Sequence, residues 1–424
     1  MAEHTADNRE VSGSNPLGPI SNTTLKTLYI HNISAAYTMV SGSEVIPRAA
    51  VLVKGENIAE IGPEQEVQKH VPSETQSIDA GGRCVLPGLI DPHTHLIYAG
   101  ERSKEFALRL KGADYLEILK AGGGILSTVE ATRKASLQEL VDHGRARLER
   151  MLSWGVTTVE VKSGYGLNTE TEIKILEAAQ SLRQEGWQLI STFLGAHAIP
   201  PEFKDNRGSY IDLLINEMMP KARPLAEFCD VFMDKGVFTQ KETERIFEAA
   251  QKLGYKLKIH ADELASTGGA EMAGKWGAVS ADHLLHPSDN GLKLMALAGT
   301  VAVMLPGTSF ALRKTYAPVK KFARHGLKIA VATDHNPGTS PILSLPMAAT
   351  IGVLSGGLSI DQALAGMTVN AAAAIGLNDR GRLARGLKAD ILIIDGPDPT
   401  HMFYRIGENL TWKVIRSGQV VWRR

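Results

Sequence analysis

A chain of 424 residues with 46 basic and 46 acidic side chains has no net field with which to draw nucleic acid or an anionic membrane surface. Its two cysteines, Cys84 and Cys229, are too few for a disulfide framework, and no apolar run reaches the about 18 residues of a membrane span. A small-molecule partner and a cytoplasmic location are the resulting expectations.

Residues 1–25 are rich in Ser, Asn, Pro and Gly and lack the apolar stretch of a secretory signal, so they read as a disordered tail. From 26 to 84 short β-rich pieces alternate with Gly, Pro and Asn turns. The segment 379–424 has the same texture, which predicts that chain start and chain end pair into one small β-sandwich. Between them, over 85–378, eight β-branched runs alternate with helical stretches: GLIDPHTH, GVTTVEVKS, QLISTFLGAH, FCDVFMDKG, LKIHADE, VSADHLLH, TVAVMLPG and KIAVATDHN. Stretches such as LQELVDHGRARLERMLSWG repeat apolar residues at helical spacing and end at a glycine, as crossover helices do. The pattern predicts a closed (β/α)8 TIM-like barrel, a fold of about 250 residues. Strands covered on both faces should be continuous apolar runs with polar residues only at their ends.

The first run ends in Asp91-Pro92-His93-Thr94-His95. Side chains two apart in a strand share a face, so both imidazoles can reach one ion. The fifth run ends in His260-Ala261-Asp262-Glu263 and the eighth in Asp334-His335-Asn336, at the barrel end where such folds carry their chemistry. Three imidazoles and a carboxylate, His93, His95, His260 and Asp334, suit one Zn or Fe ion per chain with a position open for water. Glu263 is placed to shuttle protons, and Asp262 to orient its ligand neighbour. His283, after run six, reads as a metal ligand, a general base or a buried structural group, with a base beside the ligands preferred, while His286 and His335 read as structural.

These motifs, together with HTHLIYAGERSKEFALRLKGADYLEI, AGGGILSTVEATR, VEVKSGYGL, TFLGAHAIP, DVFMDKGVF and IHADEL, are similar in order and spacing to one group of enzymes. The chain resembles the amidohydrolase superfamily and, within it, the imidazolonepropionase family, hydrolases of histidine degradation. The resemblance covers nearly everything beyond the tail. It implies ring opening of 4-imidazolone-5-propanoate to N-formimidoyl-L-glutamate by a homodimer, with the four metal ligands above. It assigns Glu263 and His283 to the reacting water and Arg102, Tyr165, His197, Glu263, Asn336, Gly338 and Thr339 to the substrate. An arginine suits that role, since a propionate is gripped by two parallel charge-assisted hydrogen bonds. His197 would polarise the lactam carbonyl or hydrogen-bond the ring.

Met233-Asp234 stands where relatives often show Cys-Glu, a departure expected to be neutral because no predicted site group adjoins it. Lys235 follows strand four only in its turn, and Lys162 after strand two reads as structural or electrostatic, so a bridged second metal is not expected. Gly122-Gly123-Gly124 lacks the following Gly-Lys-Ser/Thr of a phosphate cradle. Two rivals remain: a deaminase of a nitrogen heterocycle, which would release ammonia and has no use for Arg102, and a catalytically dead barrel, which would bind no metal.

Overall fold

A computed structural model of the chain describes residues 27–40, 44–112 and 123–424. The tail expected over 1–25 and Gly122 of the glycine run lie outside these. Strands β1 Thr27–Tyr37, β2 Val45–Lys54, β3 Asn57–Pro63, β4 Gln76–Asp79 and β5 Val85–Pro87 come first. The barrel strands follow as β6 Leu89–Asp91, β7 Val156–Lys162, β8 Gln188–Ala196, β9 Phe228–Met233, β10 Lys256–Ala261, β11 Ser280–His283, β12 Val301–Met304 and β13 Ile329–Val331. The chain ends with β14 Ile391–Ile394, β15 Thr411–Arg416 and β16 Gln419–Arg423.

Chain start and chain end do join. One sheet runs β16-β15-β14-β5-β1-β2-β3, with β4 beside β1. Ile30, Val51 and Val53 from one part of it share an apolar core with Ile391, Ile393 and Ile415 from the other. Val85–Pro87, read from sequence as the opening of the barrel, pairs with β1 and β14 and belongs to this terminal sheet instead. Its three residues are apolar in either setting, so hydrophobicity could not assign them.

The second sheet, β6 to β13 in chain order, is parallel at every pairing. Its first and last strands meet just beyond their ends. Thr94 and His335 form an isolated parallel bridge, Asp334 donates its backbone N–H to His93 O at 3.1 Å, and His95 donates to His335 O at 2.9 Å. Helices Leu137–Ser153 and Gln240–Lys252 open with capping boxes, Ser136 with Glu139 and Thr239 with Glu242. Each is followed by a glycine at positive φ, Gly155 at 86° and Gly254 at 80°, where a side chain would be strained.

The expectation of apolar runs with polar ends fails inside this barrel. Val159, Val161, Val231 and Ile259 pack in the large apolar core. The alternating positions Glu160, Lys162, Asp230, Lys258 and Asp282 are fully buried too. Lys162 of β7 reaches Asp230 of β9 and Asp282 of β11, strands that are not neighbours, so the contacts cross the barrel interior. A barrel interior is filled by side chains from alternate strands, and here a layer of charges occupies it.

Candidate metal centre

The four expected ligands lie at one rim, in two overlapping groups that share His93: His93, His95 and Asp334, and His93, His260 and His283, each with ligand-capable atoms within 4.8 Å of one another. His93 and His95 lie just past β6, His260 in the last turn of β10, and Asp334 just past β13. Their ring centroids are 5.4 Å apart for His93 and His95, 4.6 Å for His93 and His260, and 5.5 Å for His95 and His260. Asp334 Oδ1 lies 3.4 Å from His93 Nε2 and 3.5 Å from His95 Nε2. Ligands of one tetrahedral zinc stand about 3.4 Å from each other. His93 also groups with His260 and His283, with ligand-capable atoms all within 4.8 Å, so His283 borders the same point.

The hydrogen bonds prepare these nitrogens for a cation. His93 Nδ1 faces Asp282 Oδ2 at 2.6 Å, and His260 Nδ1 faces Asp230 Oδ1 at 3.2 Å. A carboxylate only accepts, so each Nδ1 carries the proton and each Nε2 is left with its lone pair. Both Nε2 atoms are buried without a hydrogen-bond partner. Buried polar atoms are seldom left so, and two of them beside a carboxylate fit a metal ion. Burial, aided by neighbouring positive groups, pushes His93 and His95 well below the usual imidazole range. For His260 burial also acts downward, but the charge and hydrogen bond of Asp230 outweigh it. Burial raises Asp334, whose Oδ2 accepts from Thr308 at 2.5 Å.

Backbone strain gathers at the same rim. Asp262, His283, Leu284 and Asp334 all take positive φ, between 50° and 75°, unusual for non-glycine residues and a feature that clusters at functional sites. His283 Nε2 lies 3.7 Å from Glu263 Oε2. Two readings are corrected here. Asp262 does not orient His260: its carboxylate accepts from the backbone of Thr267, Gly269 and Ala270 and pins the next helix, while Asp230 does the orienting. Nor is Asp234 remote, for its Oδ2 accepts from the backbone N–H of Glu263 at 2.7 Å and Leu264 at 2.8 Å.

A model of the amidohydrolase family matches residues 84–421. An imidazolonepropionase from Alkaliphilus oremlandii is 49% identical over 89% of this chain and 91% of its own. One from Symbiobacterium thermophilum is 47% identical over the same shares. The chain belongs to the imidazolonepropionase family of amidohydrolases. Solved structures agree on the fold alone. A mutant atrazine chlorohydrolase from Arthrobacter aurescens, complexed with zinc and atraton, superposes with a TM-score of 0.67 at 17% identity over 93% of this chain and 95% of that one. A 5-methylcytosine deaminase from Klebsiella pneumoniae gives 0.71 at 17% identity over 93% and 98%.

The remaining positions carried over from this family lie around the centre. The His197 ring stacks on His95 with centroids 4.9 Å apart, and Tyr165 lies 5.7 Å from His95. His197 Nδ1 faces the carbonyl oxygen of Gly164 at 2.9 Å and therefore holds the proton, so Nε2 can only accept. Burial and the nearby His260 push His197 down to about 3, which keeps it neutral. Of the two roles expected for it, hydrogen bonding to the ring is the one this tautomer suits, with Nε2 as acceptor.

Arg102 lies next to a cavity of about 220 Å³ lined also by Tyr98, Phe106, Pro337, Gly338 and Pro341. Tyr98 connects it to the centre, its ring 6.0 Å from that of Tyr165. Glu105 takes the Nε and Nη2 edge of Arg102 at 2.8 and 2.7 Å. Gly338 packs over the guanidinium beside Nη1, where any Cβ would collide with it. Asn336 is committed to its own loop: its Oδ1 accepts from Gly338 N and Thr339 N, and its Nδ2 donates to Asp334 O and Thr339 Oγ1. It shapes the loop that carries Gly338. His335, read as structural, is buried with Nε2 3.3 Å from Tyr98 Oη, and His286 is exposed.

Sequence reasoning missed Glu160, Asp230 and Asp282. The available signal was a charge inside a strand otherwise too apolar to tolerate it, as in Val-Glu-Val-Lys, Cys-Asp-Val-Phe and Ser-Ala-Asp-His.

Proposed function

We propose that this chain hydrolyses a ring C–N bond of 4-imidazolone-5-propanoate, giving N-formimidoyl-L-glutamate, with one zinc or iron ion held by His93, His95, His260 and Asp334. The observation that carries the reading is the pair of buried Nε2 atoms of His93 and His260 that no hydrogen bond satisfies, the first of them 3.4 Å from Asp334 Oδ1, in a chain 49% identical to a named imidazolonepropionase. When bound, such an ion polarises a carbonyl and brings the pKa of water toward 7.

The side chains do the rest. The free end of Arg102 receives the propionate carboxylate, with Glu105 fixing the guanidinium plane. His197 Nε2 accepts from a ring N–H, and Tyr165 and Tyr98 wall the ring. Glu263, its backbone held by Asp234, takes a proton from the attacking water and returns one to the departing ring nitrogen, with His283 as its proton partner. One C–O bond forms, one C–N bond breaks, and the water's two protons end on the new carboxyl group and the formimidoyl nitrogen. A homodimer in the cytoplasm is the assembly we propose, on family resemblance; light scattering tests the first part.

Purified protein with freshly generated imidazolone tests the chemistry. Glu263→Gln should retain the metal and lose turnover by about 10²–10⁴-fold, the usual contribution of a positioned acid–base group. Turnover at the parent rate by that variant would remove Glu263 from the mechanism.

A further inference from the structure

Lys162 is fully buried inside the barrel, beneath the ligand atoms, and the proposed mechanism does not use it. Its Nζ lies 2.8 Å from Glu160 Oε1, 2.8 Å from Asp230 Oδ2 and 3.7 Å from Asp282 Oδ2. The last two carboxylates are the ones that hold imidazoles. Asp230 Oδ2 lies 3.1 Å from His260 Nδ1, and Asp282 Oδ2 lies 2.6 Å from His93 Nδ1. Glu160 reaches the ligand segment by another route: its Oε2 accepts from the backbone N–H of Thr94, between His93 and His95, at 3.2 Å. The backbone of Lys162 donates to Thr94 O at 3.0 Å.

We propose that Lys162 is a positioning residue for the metal centre: one ammonium fixes Asp230 and Asp282 and, through them, the proton positions and ring settings of His260 and His93. The inference rests on the reading that these imidazoles hold a metal. Stability alone does not account for the arrangement, because replacing a buried ion-pair group by well-packed apolar residues is often neutral or stabilising. What apolar packing could not do is hold two carboxylates of non-adjacent strands at a fixed separation, each aimed at a different ligand. Remove the ammonium and three carboxylates are left to repel one another within the barrel, with only Lys258 near them.

Lys258 supplies the internal comparison. It is equally buried, but its Nζ donates to Ser280 Oγ at 2.8 Å, Ala374 O at 3.2 Å and Pro92 O at 3.3 Å, and stands 3.8 Å from Asp282 Oδ2. Those bonds tie strands and a following helix together, and of the two carboxylates that hold imidazoles Lys258 approaches only Asp282, whereas Lys162 meets both.

The test is zinc affinity, measured by competition with a chromogenic chelator, alongside the melting temperature of the metal-free protein. Lys162→Met/Glu160→Gln removes one charge of each sign. We expect its zinc dissociation constant to rise by about 10–100-fold, the range for groups that orient metal ligands, with the metal-free melting temperature within about 2 °C of the parent. Lys258→Met, which touches one of the two carboxylates, should melt lower and raise the zinc dissociation constant by less than the Lys162→Met/Glu160→Gln variant does. A Lys162→Met/Glu160→Gln protein whose zinc affinity is within about threefold of the parent overturns the proposal. Should that variant fail to fold, Lys162→Gln, which keeps hydrogen-bond donors but not the charge, probes the same link: a rise of about tenfold or more supports it and an unchanged affinity overturns it. If the unsubstituted protein takes up neither zinc nor iron, the metal reading itself fails; if parent and variants bind zinc alike, only the role of Lys162 does.

Discussion

The molecule builds two sheets from one chain and fills them with opposite materials. Where the terminal strands wrap their core, Ile30, Val51, Ile391, Ile393 and Ile415 meet only hydrocarbon. The barrel interior, no more accessible to water, holds Glu160, Lys162, Asp230, Lys258 and Asp282. Burying charge is costly unless each group is paired and hydrogen-bonded, and these are: every carboxylate of the layer meets a lysine or an imidazole. The contrast teaches where each sheet's purpose lies. The terminal sheet contributes burial and little else, whereas the barrel accepts an electrostatically demanding interior because its carboxylates hold the imidazoles of His93 and His260 in chosen tautomers.

The contrast can be broken by experiment. Its strongest form is His95→Ala, which removes a ligand at the rim: turnover should fall by about a thousandfold or more, the scale seen when one member of a catalytic unit is lost, with metal content by elemental analysis falling in parallel. The counterpart in the terminal sheet is Ile393→Ala, fully buried. It should cost about 2–5 kcal/mol in urea unfolding, while metal content and KM of the folded enzyme stay put; a changed KM would show that the two sheets are not energetically separate.

A smaller effect is expected at the substrate end. Gly338→Ala places a methyl against the Arg102 guanidinium, and losing a charge-assisted hydrogen bond, about 1.5–3 kcal/mol, should raise KM by about tenfold or more with kcat nearly unchanged. A fall in kcat alone would place Arg102 outside substrate binding. The smallest effect concerns Asp390, buried just before β14, whose carboxyl is pushed above its ordinary range by burial despite a hydrogen bond from Ser417 N at 2.8 Å. A carboxyl raised in the fold favours the folded state most below its unfolded pKa of about 4. That advantage is lost as pH rises through the folded value. Asp390→Asn should therefore flatten the decline of the urea midpoint between pH 4 and the neutral range, by well under the about 1.4 kcal/mol per pH unit that one proton can supply. An unchanged slope would mean that Asp390 ionises as freely folded as unfolded.

Much of this was legible in the chain. His93 and His95 announce themselves because strand alternation puts residues two apart on one side, and His260 and Asp334 because each follows an apolar run at the same barrel end. The crossover helices show in their apolar spacing and terminal glycines. Asp262 was misjudged for a physical reason: adjacency to His260 suggested a shared role, but the chain enters positive φ at Asp262, and that turn swings the carboxylate to the next helix. Asp234 was passed over because nothing local links strand four to the loop after strand five. Val85–Pro87 could not be assigned because three apolar residues satisfy either sheet.

The sequence by itself determined the alternation of strands and helices, the order of the ligand-bearing strand ends and the chemical types available there, since all of these follow from short-range periodicity and side-chain chemistry. Only the tertiary structure decided which carboxylate serves which imidazole and that the barrel is charged within. Those facts depend on closing β6 against β13, which brings groups such as His93 and Asp282, 189 positions apart, within 2.6 Å. No local pattern encodes a distance across a barrel.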